Sequence, residues 1–324
     1  MNLDTQILKA LRDSATMSGA ELADHAGVSR AAVWARIEEL RSLGYEIQAK
    51  PHQGYRLVRT PDALHADDLL ARLTDTRVIG RDVRVFKETN STNDVIEKMA
   101  RDGAKEGVVV YAESQSKGRG RMGRKWVSPP RKGLWFSILL RPQMRPQAVT
   151  QITVAAATAL SRAIRRISGI ALQVKWPNDI LVEGKKVAGI LTEMNAEVDR
   201  VKYVILGIGV DVNLADEDLP EDLKSIATSV RIESGRQIDR PALAAAILEE
   251  LDADYERLER GGFRAVAEEW EAQCVTLGHD VSISMGNRKI RGRAESLDED
   301  GALMIRSAHG QLERIIGGDV TLDK

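Results

Sequence analysis

Glycine and arginine crowd together at Gly118 to Trp126, which reads Gly-Arg-Gly-Arg-Met-Gly-Arg-Lys-Trp. Guanidinium groups at Arg119, Arg121 and Arg124 fork onto phosphate or carboxylate oxygens, and glycines let backbone N–H groups turn toward an anion. The stretch suits neither a helix nor a half-buried strand, because glycine is costly inside both and only Met122 and Trp126 are apolar. It is expected to be a mobile loop between the apolar run ending at Tyr111 and the one starting at Leu134. It is neither a Walker A sequence nor a dinucleotide fingerprint, and a basic run alone favours the bland reading, a solvated loop or a nucleic-acid patch.

Its company gives it an anion-binding meaning. Ser91-Thr92-Asn93 precedes the helical pattern Val95, Ile96, Met99; these residues either cap that helix or offer hydroxyls to a small polar ligand. Lys175-Trp176-Pro177-Asn178-Asp179 falls at a strand junction, where Pro would interrupt a ladder. It reads either as a polar site at a sheet end or as an Asn-Asp turn with an exposed lysine. Glu183-Gly184 forms a tight hairpin returning through Lys186-Val187-Ala188-Gly189-Ile190-Leu191. Strict alternation puts Lys186 with Ala188 on one side and Val187 with Gly189 on the other. Gly207 and Gly209 share one face of the strand Val204 to Val212 and open space there.

The elements that must position these groups are ordinary for a globular chain. The 324 residues are 43% hydrophobic and 29% charged, with a net charge of −1 that offers no global attraction to nucleic acid or membrane. The single cysteine, Cys274, excludes an internal disulfide and is read as core rather than nucleophile. The start at Met1 lacks a signal-peptide pattern, and no window reaches the ~18 apolar residues of a membrane span, so a cytoplasmic protein with no membrane partner is expected. Gly107 to Glu113 and Gly133 to Arg141 read as paired strands with the glycine-arginine loop at their shared end, and Gln147 to Ile167 as a packed helix. The polar stretch from Asn213 to Ser229 reads as a second mobile loop, followed by amphipathic helices at Pro241 to Leu258 and Phe263 to Gln273.

The two ends differ from this centre. Leu3, Ile7, Leu8 and Leu11 keep helical spacing, Ser18-Gly19 opens a second helix, and Ser29 caps a third over Arg30 to Leu43. Val33, Ile37 and Leu40 form its buried stripe, leaving Arg30, Ala31, Trp34 and Arg36 near the outer face. Two helices about a glycine turn make a helix-turn-helix, and two short strands about Pro51-His52-Gln53-Gly54 make a wing. Residues 1–60 hold eight Lys/Arg against seven Asp/Glu, weak for one copy on DNA, so a dimer is expected. A three-helix protein-interaction bundle is the alternative. The tail from Asp280 to Val320 alternates short β runs with turns at Gly286-Asn287, Asp298 to Gly301 and His309-Gly310, a small all-β unit.

Taken in order, Ser91-Thr92-Asn93, Gln115 to Trp126, Lys175 to Asp179, Lys186 to Leu191 and Gly207-Ile208-Gly209-Val210 closely resemble the biotin protein ligases, across essentially the whole chain. The helix-turn-helix points to the bifunctional bacterial type, both ligase and biotin-operon repressor. The resemblance implies an α+β multidomain protein: a winged helix-turn-helix (1–62), an α/β catalytic domain with a mixed sheet (63–274) and an SH3-like barrel (275–324). It implies that biotin and Mg-ATP give biotinyl-5′-adenylate, and that a lysine of the biotin carboxyl carrier protein then takes the biotin. On that likeness Ser91, Thr92, Asn93, Gln115, Gly118, Arg119, Arg121, Trp126, Lys186, Gly189, Gly207 and Gly209 bind biotin or its adenylate. Lys186, Arg119 and Arg121 take the catalytic roles. Asn178, Asp179 and Asn213 fall on the nucleotide side, with Mg²⁺ arriving on ATP and no firm metal ligand. Operator DNA would meet Ser29, Arg30, Ala31, Trp34 and Arg36 of a ligand-promoted homodimer. The family commonly has asparagine where this chain has Asp211. A lipoate-type ligase, or a ligand-sensing DNA-binding protein without ligase activity, are the competing readings.

Overall fold

The computed structural model describes residues 2–50, 53–286 and 288–322. The expected turn residues Pro51, His52 and Asn287, and the start at Met1, lie outside the described residues. Three helices open the chain: α1 (Leu3–Asp13), α2 (Gly19–Ala26) and α3 (Arg30–Ser42), each capped by a side chain, from Asn2, Ser18 and Ser29. Ile7, Leu8, Leu22, Val33, Ile37 and Leu40 meet in their core. β1 (Glu46–Lys50) and β2 (Gly54–Arg59) pair antiparallel as the wing.

Helix α4 (Ala66–Arg72) joins this unit to the centre. Its Ala71 belongs to the helix-turn-helix core, and its buried Asp68 pairs with both Arg12 of α1 and Arg72. The central elements follow: β3 (Asp82–Phe86), α5 (Thr92–Arg101), β4 (Val108–Ala112), β5 (Gly133–Leu140), α6 (Thr150–Ser168), β6 (Gln173–Lys175), β7 (Asp179–Val182), β8 (Lys185–Ala196) and β9 (Val201–Asp211). Three further helices, α7 (Val230–Ser234), α8 (Arg240–Glu259) and α9 (Phe263–Glu271), complete the centre. The strands form one mixed sheet in the order β3-β4-β5-β9-β8-β7-β6, parallel only between β3 and β4.

Alternation along these strands makes two unlike faces. Val109, Tyr111, Phe136, Ile138, Ile180, Ala188, Ile190, Leu206 and Ile208 share one core with α6 and α8. On the other face, α5 covers Val108, Val110, Leu139, Tyr203 and Ile205. The rest of that face carries Ser137, Gly189, Gly207, Gly209 and Asp211 beside Trp135 and Leu191, and there the cavity lies.

The chain ends in a five-stranded antiparallel sheet of β10 (Asp280–Met285), β11 (Arg288–Leu297), β12 (Leu303–Arg306), β13 (Leu312–Ile315) and β14 (Asp319–Leu322), ordered β13-β12-β11-β10-β14. Cys274 bridges Val174, and Trp176 N–H donates to Thr276 Oγ1 at 3.1 Å, so this connection anchors the Lys175–Asp179 junction. Burial pushes the Cys274 thiol up, as for an inert core residue.

Candidate functional site

A cavity of about 680 Å³ opens over the glycine-rich face, a size suited to a small organic ligand. Its floor is Gly189, Gly207 and Gly209. Lys186 joins them, against the alternation expected from sequence. Leu181 pairs with Lys186 while Ile180 pairs with Ala188, so Val187 is an extra residue in a β-bulge. The bulge shifts the register by one and turns Lys186 onto the Gly189 face. A methyl group added at Gly189 would lie 3.1 Å from Lys186 Nζ.

Lys186 is held from several sides. Its ammonium lies 2.5 Å from Asp179 Oδ1, an ion-pair contact without hydrogen-bond alignment, and 5.0 Å from the centre of the Trp126 ring. Its N–H and C=O both bond the second loop, to Ile226 O and from Thr228 N at 2.8 Å. Asp211 faces it from β9 with its carboxyl buried. Burial drives the Asp211 carboxyl well above the usual range, and the charge of Lys186 opposes that only in part.

The glycine-arginine loop folds back on itself over the cavity. Trp126 N–H donates to Gly118 O at 2.9 Å, Gly120 N–H to Arg124 O at 2.7 Å, and Arg119 bridges Lys125. A Cβ at Gly118 would stand 2.5 Å from Trp126 O, so only glycine allows that approach. The three guanidiniums each meet protein acceptors. Arg119 pairs with Asp94 and Glu193, Arg124 with Asp319, and Arg121 donates to Asn178 Oδ1 at 3.2 Å and Gly318 O at 3.5 Å. Burial lowers the Arg121 pKa from its ordinary value. The C-terminal sheet therefore closes one wall, through Ser284 and Gly318 to Thr321. The Trp126 indole lies across the floor, 2.6 Å from where a Gly209 methyl would sit, with its N–H unpartnered among the described residues.

At the start of α5, Ser91 occupies the capping position without making a cap bond, and it lines the cavity. Thr92 N–H donates to Gln115 Oε1 at 2.9 Å, and Thr92 Oγ1 lies 2.7 Å from Ser137 Oγ. Asn93 Oδ1 accepts from Ser137 Oγ, and Asn93 Nδ2 donates to Glu193 at 2.6 Å. Asn178 likewise has both amide ends engaged, its Nδ2 donating to Ile190 O at 2.7 Å.

The structure thus brings Ser91, Thr92, Asn93, Gln115, Arg119, Arg121, Trp126, Asn178, Asp179, Lys186, Gly189, Gly207 and Gly209 to one cavity. Gly118 and Asn213 are not among its lining residues. Asn213 instead clasps Ile238 through bonds of 2.9 Å in both directions, fixing the end of the second loop. Ser137 and Glu193 escaped the sequence reading. Ser137 could have been found as the one hydroxyl in the apolar run Gly133 to Leu140, whereas Glu193 gives no local signal.

Outside the cavity, Ser29 Oγ accepts from Ala32 N–H at 3.2 Å, and Arg30, Ala31 and Trp34 are exposed, Trp34 at 58%. Arg36 is engaged instead with Asp4 of α1 and with Glu39. No helix among the described residues is long and apolar enough to cross a membrane.

Comparison with known proteins agrees along the whole chain. The HTH domain family matches residues 4–56, the Biotin/lipoate A/B protein ligase family 85–211, and the biotin protein ligase C terminal domain 276–323. The bifunctional ligase/repressor BirA of Bacillus subtilis is 39% identical over 94% of both chains. That of Escherichia coli is 30% identical over 98% of this chain and 96% of its own. The Aquifex aeolicus biotin protein ligase, solved with biotin and ATP, superposes with a TM-score of 0.64 at 30% identity, covering 75% of this chain and 99% of that one. On its fold, its order of domains and this full-length similarity, the chain belongs to the bifunctional ligase/repressor family of biotin protein ligases.

Proposed function

We propose that the chain activates biotin with ATP and passes it to a lysine of the biotin carboxyl carrier protein. In the first step a biotin carboxylate oxygen attacks the α-phosphorus, and pyrophosphate leaves. In the second the lysine amine attacks the acyl carbon, loses a proton and expels AMP. The observation that carries this reading is the bulge that sets Lys186 beside the glycine floor. Two anions must meet in the first step, and a fixed ammonium there offsets their repulsion. Glycines at 189 and 209 let the Trp126 ring lie against the sheet, where it offers an apolar wall to the biotin ring, and Ser91, Thr92 and Gln115 offer the ureido edge hydrogen-bonding groups. The loop 118–126 and the apolar Leu214, Leu219 and Leu223 shield an acyl-adenylate from water.

Asp179 and Asp211 both line the cavity and would be the carboxylates to hold a magnesium ion carried in on the nucleotide, since Mg²⁺ takes one or two carboxylates beside phosphate oxygens. Bound there, the ion would neutralise phosphate charge that Asp211 would otherwise repel.

On this reading residues 1–62 bind operator DNA as a ligand-promoted homodimer, 63–274 catalyse, and 275–324 wall the site. The exposed face of α3 supports the DNA role, with Ser29, Arg30, Ala31 and Trp34 toward the groove. Biotin-dependent exchange of label between pyrophosphate and ATP tests the first step. Titration calorimetry with biotin against lipoate separates the two ligase chemistries, and heat only with lipoate would refute the assignment.

A further inference from the structure

Arg119 lines the cavity, but the carboxylates that hold its guanidinium do not. Its partners, Asp94 on α5 and Glu193 on β8, are absent from the lining. All three guanidinium nitrogens are engaged: Nη1 with Asp94, Nε and Nη2 with Glu193, the shortest of the latter contacts being 3.0 Å. Glu193 Oε2 also accepts from Asn93, whose Oδ1 holds Ser137 and packs over Gly207. One carboxylate therefore ties the loop to the buried floor. Because Arg119 also bridges Lys125, holding it fixes both limbs of the loop.

We infer that Glu193, assisted by Asp94, is a positioning residue for the ligase reaction. The two carboxylates latch the loop shut through Arg119, and Arg119 serves as the pin of that latch rather than as a contact to the ligand. What the closed loop retains, the activated acyl-adenylate, rests on the ligase reading above. The latch itself rests only on the contacts just described. Charge pairs at this exposure hold weakly one by one, so two are needed to keep a short loop closed.

The test has a ligand-free arm and a reaction arm, run on the full chain. Trypsin cuts an opened loop between Lys117 and Lys125. Without ligand, the Asp94→Asn/Glu193→Gln variant is expected to be cut about tenfold faster, and added salt should speed cutting of the parent but not of the variant. Should the double variant fail to fold, Glu193→Gln alone keeps an acceptor for Asn93, and about a threefold rise is expected. In the reaction arm, the ratio of adenylate escaping to solution over biotin delivered to carrier protein should rise to that of Arg119→Gly, with no further rise when all three changes are combined. Unchanged cutting overturns the latch. Faster cutting with parental escape, while Arg119→Gly leaks, also overturns it and returns Arg119 to direct ligand contact. A parent without biotin-dependent ATP–pyrophosphate exchange would sink the ligase reading instead, leaving the latch to the proteolysis result.

Discussion

Two glycines two residues apart on β9 should respond differently to the same methyl group. At Gly207 an added Cβ would stand 2.3 Å from Asn93 Oδ1, more than 1 Å inside ordinary contact. Asn93 cannot yield cheaply, because its amide is bonded to Ser137 on one side and Glu193 on the other. Breaking those two bonds in a buried place costs about 2–4 kcal/mol. At Gly209 the methyl would stand 2.6 Å from Trp126 Cε2. The indole is only partly buried and its N–H is unpartnered among the described residues, so it can slide for about 1 kcal/mol. Gly207→Ala should therefore lower the melting temperature by roughly 5–10 °C, and Gly209→Ala by no more than about 3 °C. Binding should show the reverse ranking per unit of stability lost. A methyl at Gly209 pushes the Trp126 indole into the ligand space, and the Gly209→Ala variant should bind biotin about 10- to 100-fold more weakly while remaining folded. Scanning calorimetry and titration with biotin measure the two effects separately. A Gly209→Ala protein that melts earlier than Gly207→Ala, or that binds biotin as the parent does, would show that the floor has been misread.

Lys186→Ala should slow ATP–pyrophosphate exchange by about 10²- to 10³-fold with an unchanged circular dichroism spectrum, and near-parental exchange would remove this lysine from the chemistry. For Asp211, burial raises the folded pKa, so its contribution to stability is full below about pH 4 and is lost as pH rises through the raised value. Asp211→Asn should accordingly melt higher than the parent at neutral pH and lose its advantage toward acid; identical melting curves across pH 4 to 8 would contradict the burial of this carboxyl. Trp34→Ala should weaken operator binding by about 1–3 kcal/mol without lowering the melting temperature, whereas Arg36→Ala should destabilise the first domain by breaking its tie to Asp4. Fluorescence anisotropy with operator DNA and thermal melts separate the two, and equal effects on both would refute the division.

Much of the architecture was legible before any coordinates. Helical spacing at Leu3, Ile7, Leu8 and Leu11, the caps at Ser18 and Ser29, the Glu183-Gly184 hairpin and the paired glycines of β9 are local statements. Backbone sterics and periodicity answer them within a few residues. The order of motifs along the chain likewise pointed to the family. Other features needed the folded chain. The bulge at Val187 reverses the side that strict alternation assigns to Lys186, because register depends on the partner strand. The Asn213 side chain leaves the cavity for Ile238 because a second loop arrives there to accept it. Glu193 joins Arg119 across 74 residues, and Arg124 meets Asp319 across 195, separations that carry no mark in either local sequence. The pairing of Arg36 with Asp4 likewise needs α1 to be in place beside α3. Sequence determined which elements form and which residue types they carry, since those follow from short-range sterics and burial. Tertiary structure decided which charges meet, because ion pairing depends on where distant segments come to rest.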